Sequence, residues 1–254
     1  MLSWRACPTN HQVSILVGLP HPYNFVPMSV SDTRERLLEI ALELIWRSNY
    51  SCVGVNEICK RAGVTKGAFY HHFESKASLF CEATAYYWQV IKNDLDAVFS
   101  PLNSPLVQLE NLLHFLVMAK LGNDQEGIRG CPFYTAGAQI GSNEAKVIEA
   151  LELLSGNAVK YNTALVRALQ SDGCLEDGVD PEQTGRLLYH FIHGVFSYVH
   201  VHEGVENIKR DLTVGLYRLL GLRREFWYSE KPNWEPQQAD SHFVEKILLP
   251  RERR

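Results

Sequence analysis

Residues 54–73 read GVNEICKRAGVTKGAFYHHF, and this stretch decides how the rest of the chain is interpreted. The pattern predicts a short helix, a tight turn at Ala62-Gly63-Val64 and a second short helix that opens at Thr65. Gly63 can adopt the positive φ that a sharp turn between helices requires, and Thr65 offers a hydroxyl that caps the second helix. Two short helices arranged in this way indicate a helix-turn-helix, whose second helix enters the major groove of DNA.

The second helix of this motif has a buried side and a positively charged outer side. Ala68, Phe69 and Phe73 supply the buried side. The side chains left to project outward are those of Lys66, Tyr70, His71 and His72. Residues 60–76 contain four basic side chains and one acidic side chain, although the whole chain carries a formal net charge of −4. A locally positive surface on a mildly acidic protein is what attraction to DNA phosphates requires.

The same stretch resembles the TetR/AcrR family of bacterial transcriptional regulators. The resemblance rests on the run Ile58-Cys59-x-x-Ala62-Gly63-Val64-Thr65-Lys66-Gly67-x-Phe69-Tyr70-x-His72-Phe73, followed by Ser75-Lys76. It implies a repressor that binds a double-stranded DNA operator, is released by a small molecule and acts in the cytoplasm. The first helix departs from the family at Val53-Gly54, where a Ser or Thr cap is usual, so we expect it to lack a side-chain cap.

The predicted DNA contacts come from the second helix of the motif and the residue that opens the next helix. Lys66 is expected to contact a guanine or a phosphate, and His71 a base edge. The resemblance implies that Tyr70 and Lys76 contact phosphate, and Thr65 can bind phosphate through its hydroxyl or its helix-terminal N–H. The remaining predicted residues are Gly67 and Ala68, which let the backbone approach the groove, and His72, for which capping or packing is the alternative.

The hydrophobic periodicity of the whole chain predicts helices and no sheet, so the predicted fold is all-α. Helices are expected over residues 33–48, 75–99, 105–121, 132–140, 144–170, 181–201 and 205–220. With the resemblance, this gives a three-helix DNA-binding domain over 31–77 and a larger helical domain for effector binding and dimerisation over 78–222. Residues 1–30 are expected to be disordered or not translated, with Met28 as a candidate start, and the tail over 223–254 has no assigned role.

The last two predicted helices are unusually apolar, and two interpretations are open. Their apolar residues either form ordinary core or, as the resemblance implies, form a four-helix bundle with the same helices of a second copy. We favour the homodimer, with Gly194 permitting close approach. A symmetric dimer would space two DNA-binding helices by about 34–36 Å, as successive major grooves of a palindromic operator require.

The resemblance also implies an effector pocket in the body of the protein. Candidate pocket residues are polar or soft side chains on apolar stretches, each with an ordinary core role as the alternative: His114, Tyr134, Tyr161, His190 and His193. Cys131 lies at a predicted helix start, where N–H groups and the helix dipole stabilise a thiolate. A similar Gly-Cys run occurs in TetR-like regulators that sense electrophiles or oxidants, so Cys131 is a candidate sensor, with a buried filler as the alternative.

Composition limits the other classes of protein. The six cysteines are scattered without a CxxC pair, which indicates reduced thiols in a cytosolic protein and argues against zinc or another cofactor. No apolar run approaches the length of a membrane-spanning helix. A thiol-dependent enzyme that uses Cys131 with His190 or His193 is one rival hypothesis. A helical adaptor is another, but it leaves the basic spacing of the motif unexplained.

Overall fold

The computed structural model describes residues 30–47, 50, 53–121, 145–199 and 206–235. The helices in these ranges are α1 (Val30–Arg47), α2 (Val55–Ala62), α3 (Lys66–His72), α4 (Lys76–Val98), α5 (Pro105–Phe115), α6 (Ala145–Ser171), α7 (Pro181–Val199) and α8 (Glu206–Leu220). A π-helix, Leu116–Leu121, follows α5 directly, and a 3₁₀ turn, Arg224–Phe226, follows α8. Within the described ranges the only β-type pairing is an isolated bridge between Leu175 and Leu222. The prediction of an all-α fold is confirmed.

Several helix ends differ from the prediction. The first helix already includes Val30, three residues before the expected start, whereas the expected end of α7 at residue 201 lies outside the described residues. The helix expected over 105–121 is α-helical only to Phe115, where the π-helix begins, although Leu116–Leu121 contains no Gly or Pro to signal the change. The helix expected over 132–140, with Cys131 and Tyr134, lies outside the described residues, as do residues 1–29 and 236–254.

The buried side chains form two clusters that meet inside α4. The first cluster joins α1, α2 and α3 to the N-terminal half of α4, which contributes Phe80 and Tyr87, and to the start of α6, which contributes Val147. The second cluster joins the C-terminal half of α4, through Leu95 and Val98, to α5, α6, α7 and α8. Because one uninterrupted helix is buried in both clusters, α4 connects the helix-turn-helix to the rest of the chain.

The apolar residues of α7 and α8 are mostly core of the chain itself. Leu188 and Leu212 are fully buried in the second cluster. Neighbouring helices pack closely at two glycines. A Cβ at Gly185 would lie 2.3 Å from Thr163 Oγ1, and a Cβ at Gly215 would overlap the Phe191 ring. Nothing in the described part of the chain lies within 4 Å of the Cβ position of Gly194, so close approach of a second copy there stays a prediction.

The chain after α8 packs on its own body, a contact that the sequence did not indicate. Asn111 on α5 is fully buried, and its Oδ1 accepts the backbone N–H groups of Asn233 at 2.7 Å and Trp234 at 2.9 Å. Trp234 is 5% exposed and lies edge-on against Phe115 and His114. The C-terminal segment through residue 235 is therefore part of the helical body.

Replacing Asn111 tests this attachment. Asn111→Ala leaves two backbone N–H groups at a buried site without their acceptor, so we expect the free energy of unfolding to fall by about 1–3 kcal/mol. Asn103→Ala is the control, because Asn103 accepts a hydrogen bond from the Asn233 side chain at an exposed position; we expect about 0.5 kcal/mol or less. Chemical denaturation measures both variants, and equal losses would contradict the role given to Asn111.

Candidate nucleic-acid interface and cavity

The turn between α2 and α3 has the geometry that the sequence predicted. Gly63 has φ 65° and ψ 33°, and Val64 donates its N–H to the Cys59 carbonyl at 3.0 Å. Gly54 is the N-cap of α2 and makes no side-chain hydrogen bond, as expected for glycine. Thr65 Oγ1 accepts the N–H of Ala68 at 3.1 Å and so caps α3. Gly63 therefore sets how the chain turns from α2 to α3, and the Thr65 hydroxyl sets where α3 starts.

α3 presents one side to the core and the other to solvent. Phe69 and the next residue after the helix, Phe73, are essentially fully buried. Five of the predicted DNA-binding residues are exposed together: Thr65, Lys66, Gly67, Tyr70 and His71. Ala68 and His72 are half-buried, and His72 lies beside the Phe73 ring. The exposed group combines a cation, an imidazole and a phenol, which are the side chains that bind phosphates and base edges.

Two of the basic side chains near α3 have partners on other elements. Lys76 donates to the Tyr50 carbonyl at 2.9 Å, and its ammonium lies 4.1 Å from the centre of the Tyr50 ring. Arg61 forms an ion pair with Glu43 of α1 at 2.6 Å. Lys66 is exposed at the start of α3, so it is the basic side chain of the motif best placed for DNA. Contact of Lys76 with phosphate stays a prediction.

Cys59 acts as a packing residue beneath the turn. Burial raises the pKa of the Cys59 thiol, which keeps it protonated, and its Sγ lies 4.0 Å from the Thr65 carbonyl oxygen. The thiol is thus held next to the residue that caps α3. Cys59 is therefore a protonated thiol, whereas the sequence predicts a thiolate at Cys131, which lies outside the described residues.

A cavity of about 100 Å³ lies in the body between α4, α5, α6 and α7. Of the predicted effector residues, Tyr161 and His193 line it, whereas His190 is exposed and His114 packs on Trp234. Lining residues that sequence reasoning missed are Trp88, Ile91, Leu95, Phe99, Asn162 and Tyr189. The first four recur at helical spacing along α4 and its C-cap, a stripe that the sequence contained. An effector role for any of these residues stays a prediction.

Tyr161 is held at the edge of the cavity by a charged pair on α4. Its hydroxyl donates to Asp96, which also binds the Lys92 ammonium. Burial, reinforced by the hydrogen bond to Asp96, raises the pKa of Tyr161 to about 12. The hydrogen bonds from Lys92 and then from Tyr161 hold the pKa of Asp96 below its usual value. The phenol is therefore neutral, and its proton points to the carboxylate.

Alkaline unfolding tests the Tyr161 contact. Because the folded pKa of Tyr161 lies near 12 and the unfolded pKa near 10, its stabilisation is complete below about pH 10 and is lost as the pH rises through 12. We expect the difference in free energy of unfolding between the native chain and Tyr161→Phe to shrink over this interval. Tyr70→Phe, at an exposed tyrosine of α3, is the control for removal of a phenol and should leave the free energy of unfolding close to the native value. A constant difference for Tyr161→Phe would contradict the assigned contact.

Comparison with known proteins agrees with this geometry. A sequence profile described as "Bacterial regulatory proteins, tetR family" matches residues 37–83, from α1 into α4. The transcriptional regulator AcuR of Cereibacter sphaeroides is 32% identical over 149 residues, which are 58% of this chain and 67% of AcuR. The uncharacterized HTH-type regulator YxaF of Bacillus subtilis is 26% identical over 168 residues, 65% of this chain and 84% of YxaF.

Solved structures share the fold. The reduced form of NemR from Escherichia coli superposes with a TM-score of 0.64 at 18% identity, covering 74% of this chain and 97% of NemR. A TetR-family regulator from Agrobacterium tumefaciens gives 0.66 at 18% identity, covering 75% and 98%. The fold and the exposed α3 define a helix-turn-helix regulator of transcription. The chain belongs to the TetR family of bacterial regulatory proteins, which are generally DNA-binding repressors.

The similarity to NemR, at 18% identity, is a similarity of fold alone, and a sensor role for this chain stays a prediction. The relatives are named as regulators of transcription, which does not favour the thiol-enzyme or adaptor hypotheses. No helix in the described ranges is long and apolar enough to cross a membrane.

Proposed function

We propose that this chain is a homodimeric, cytoplasmic repressor that binds a palindromic operator through α3 and leaves it when a small molecule occupies the cavity. The observation that carries the proposal is the position of α3. Its apolar residues Phe69 and Phe73 anchor it in the core, while Lys66, Tyr70 and His71 face solvent on one side. A short helix held in this way can enter the major groove without rearrangement of its own core.

Release by a ligand is supported by the course of α4. The helix is capped by Ser75 just after α3, and thirteen residues later Trp88 lines the cavity. At 1.5 Å per residue these points are about 20 Å apart along one rigid element. A ligand that moves Trp88 or its neighbours therefore moves the helix that carries α3. In a dimer such a movement changes the spacing of the two α3 helices, which must match the groove repeat.

A dimer surface is supported by one stripe on α7. Leu187, His190, Gly194 and Tyr198 follow one another at helical spacing and are all exposed. Leu187 is 42% exposed and Tyr198 is 55% exposed, both large apolar side chains. The open space at Gly194 lets a second helix approach this stripe closely. Dimerisation would bury these side chains, whose exposure in a single chain is unfavourable.

The DNA contact is tested at Lys66. We expect Lys66→Ala to weaken binding to the operator by about 1–3 kcal/mol if Lys66 contacts a base, or to reduce the salt slope by about one if it contacts a phosphate. Fluorescence anisotropy with DNA from the chain's own promoter region, over a series of salt concentrations, measures both effects. Lys160→Ala, at an exposed lysine of α6, should leave affinity and slope unchanged. Native affinity and slope for Lys66→Ala would exclude a contact by this residue.

The dimer surface is tested at Leu187. Leu187→Arg places a charge in the proposed interface, so we expect sedimentation analysis to show a monomer where the native chain is a dimer. Leu153→Arg is the matched control, since Leu153 is 65% exposed on α6 and lies off the stripe. It should remain a dimer. A native chain that sediments as a monomer would refute the proposal, and so would a dimeric Leu187→Arg.

A thiol-reactive signal acting at Cys131 is the narrower form of the effector hypothesis. It rests on the Gly130-Cys131-Pro132 run of the sequence alone. The cavity supports the broader form, in which a non-covalent ligand acts on α4.

A further inference from the structure

We infer that the cavity accepts a small, uncharged aromatic molecule with one polar group, which Asn162 holds by a hydrogen bond. The inference rests on the proposed function, since it names the chemical class of the effector. It is carried by four features of the described cavity lining: aromatic walls, absence of formal charge, size and the placement of its polar side chains.

Aromatic rings form two walls of the cavity. Tyr161 lies against Trp88 with ring centres 6.0 Å apart and against Phe99 with centres 5.5 Å apart. On α7, His193 lies 4.2 Å from the Tyr189 ring and 6.3 Å from the Phe196 ring. Rings in edge and tilted arrangements present both faces and edges to the cavity. An aromatic ligand can stack on these faces and edges, which an aliphatic ligand cannot do.

The described lining carries no formal charge at its surface. None of its residues is Asp, Glu, Lys or Arg. The Tyr161 hydroxyl donates a hydrogen bond to Asp96 and stays neutral. A charged ligand would lose its hydration shell here and gain no opposite charge in return. His193 is the lining residue that could pair with an anion if it were protonated, so an anionic ligand is a necessary arm of the test.

The size of the cavity suits one ring. Its volume of about 100 Å³ is smaller than the cavity of about 150 Å³ that binds benzene in an engineered apolar core. Ala158 forms part of the wall on α6, so a larger side chain at this position would occupy the space that a ring needs. A single ring with a short substituent is therefore the largest class of ligand that the cavity can take, and its entry requires side chains of the lining to move apart.

Asn162 supplies the polar contact. It is 6% exposed and is the one polar lining residue without an aromatic ring. Its Nδ2 donates to the Gly185 carbonyl at 3.4 Å, a long hydrogen bond. An amide has two N–H donors and an oxygen acceptor, so Asn162 retains the capacity to bind a hydroxyl or carbonyl group. Such a contact orients the ligand, while the rings supply the apolar contact area.

Three ligands of nearly equal size test the inference: benzyl alcohol, benzoate and benzylammonium. Ligand-observed NMR titration of the full chain without DNA should give benzyl alcohol an affinity at least tenfold higher than that of either ion. Tenfold corresponds to about 1.4 kcal/mol. Benzoate or benzylammonium binding as tightly as benzyl alcohol would overturn the inference, and so would no detectable binding of benzyl alcohol.

Two variants test whether the ligand binds in this cavity. Ala158→Phe should abolish binding of benzyl alcohol, whereas Ala164→Phe, at an exposed position of the same helix, should leave it unchanged. Asn162→Asp should shift the preference at least tenfold toward benzylammonium, which keeps the location testable if Ala158→Phe fails to fold. Native binding by a folded Ala158→Phe, or no shift with Asn162→Asp, would overturn the assignment. Because DNA is absent, these results stand apart from loss or retention of operator binding, which tests the proposed function.

Discussion

The structure depends on the burial of one helix, α4, in two separate cores. Phe80 and Tyr87 are almost completely buried in the cluster that holds α1, α2, α3 and the start of α6, while Leu95 and Val98 are buried in the cluster of the helical body. Burying each such side chain stabilises the fold by about 1.5–3 kcal/mol, so neither end of α4 detaches easily. The position of α3 and the shape of the cavity are therefore not independent. Both are set by the same rigid element.

The features that the sequence predicted are those decided by neighbouring residues. Gly63 and Thr65 act through contacts within a few residues, so the turn, the caps and the exposed side of α3 could be predicted. Arg61 pairs with Glu43 of α1, and Lys76 binds the Tyr50 carbonyl in the segment after α1. Both partners lie outside residues 60–76, so the count of charges in that stretch did not include them. Asn111 pairs with residues 122 and 123 positions away, which no local pattern signals. The sequence thus predicted the all-α class and the motif better than the contacts between elements.

The apolar helices α7 and α8 show why core and interface cannot be separated by pattern alone. A core helix and an interface helix both require apolar side chains at helical spacing. Burial against the same chain and burial against a second copy therefore give the same sequence pattern. In the structure Leu188 and Ile192 face the core, while Leu187 and Tyr198 on the same helix remain exposed. The core interpretation therefore holds for one side of α7, and the dimer interpretation, which stays a prediction, concerns the other side.

The end of α5 joins the C-terminal segment to the cavity. Phe115 lines the cavity and carries Trp234 against it, and Asn111, one turn earlier, fixes the backbone of that segment. At Leu116 the helix widens to the π form, a change that is rare in α-helices and often found at functional sites. The wall of the cavity at this point is thus braced from outside by a segment distant in sequence. Since packed side chains leave few voids, the dimensions of the cavity depend on that brace as well as on α4.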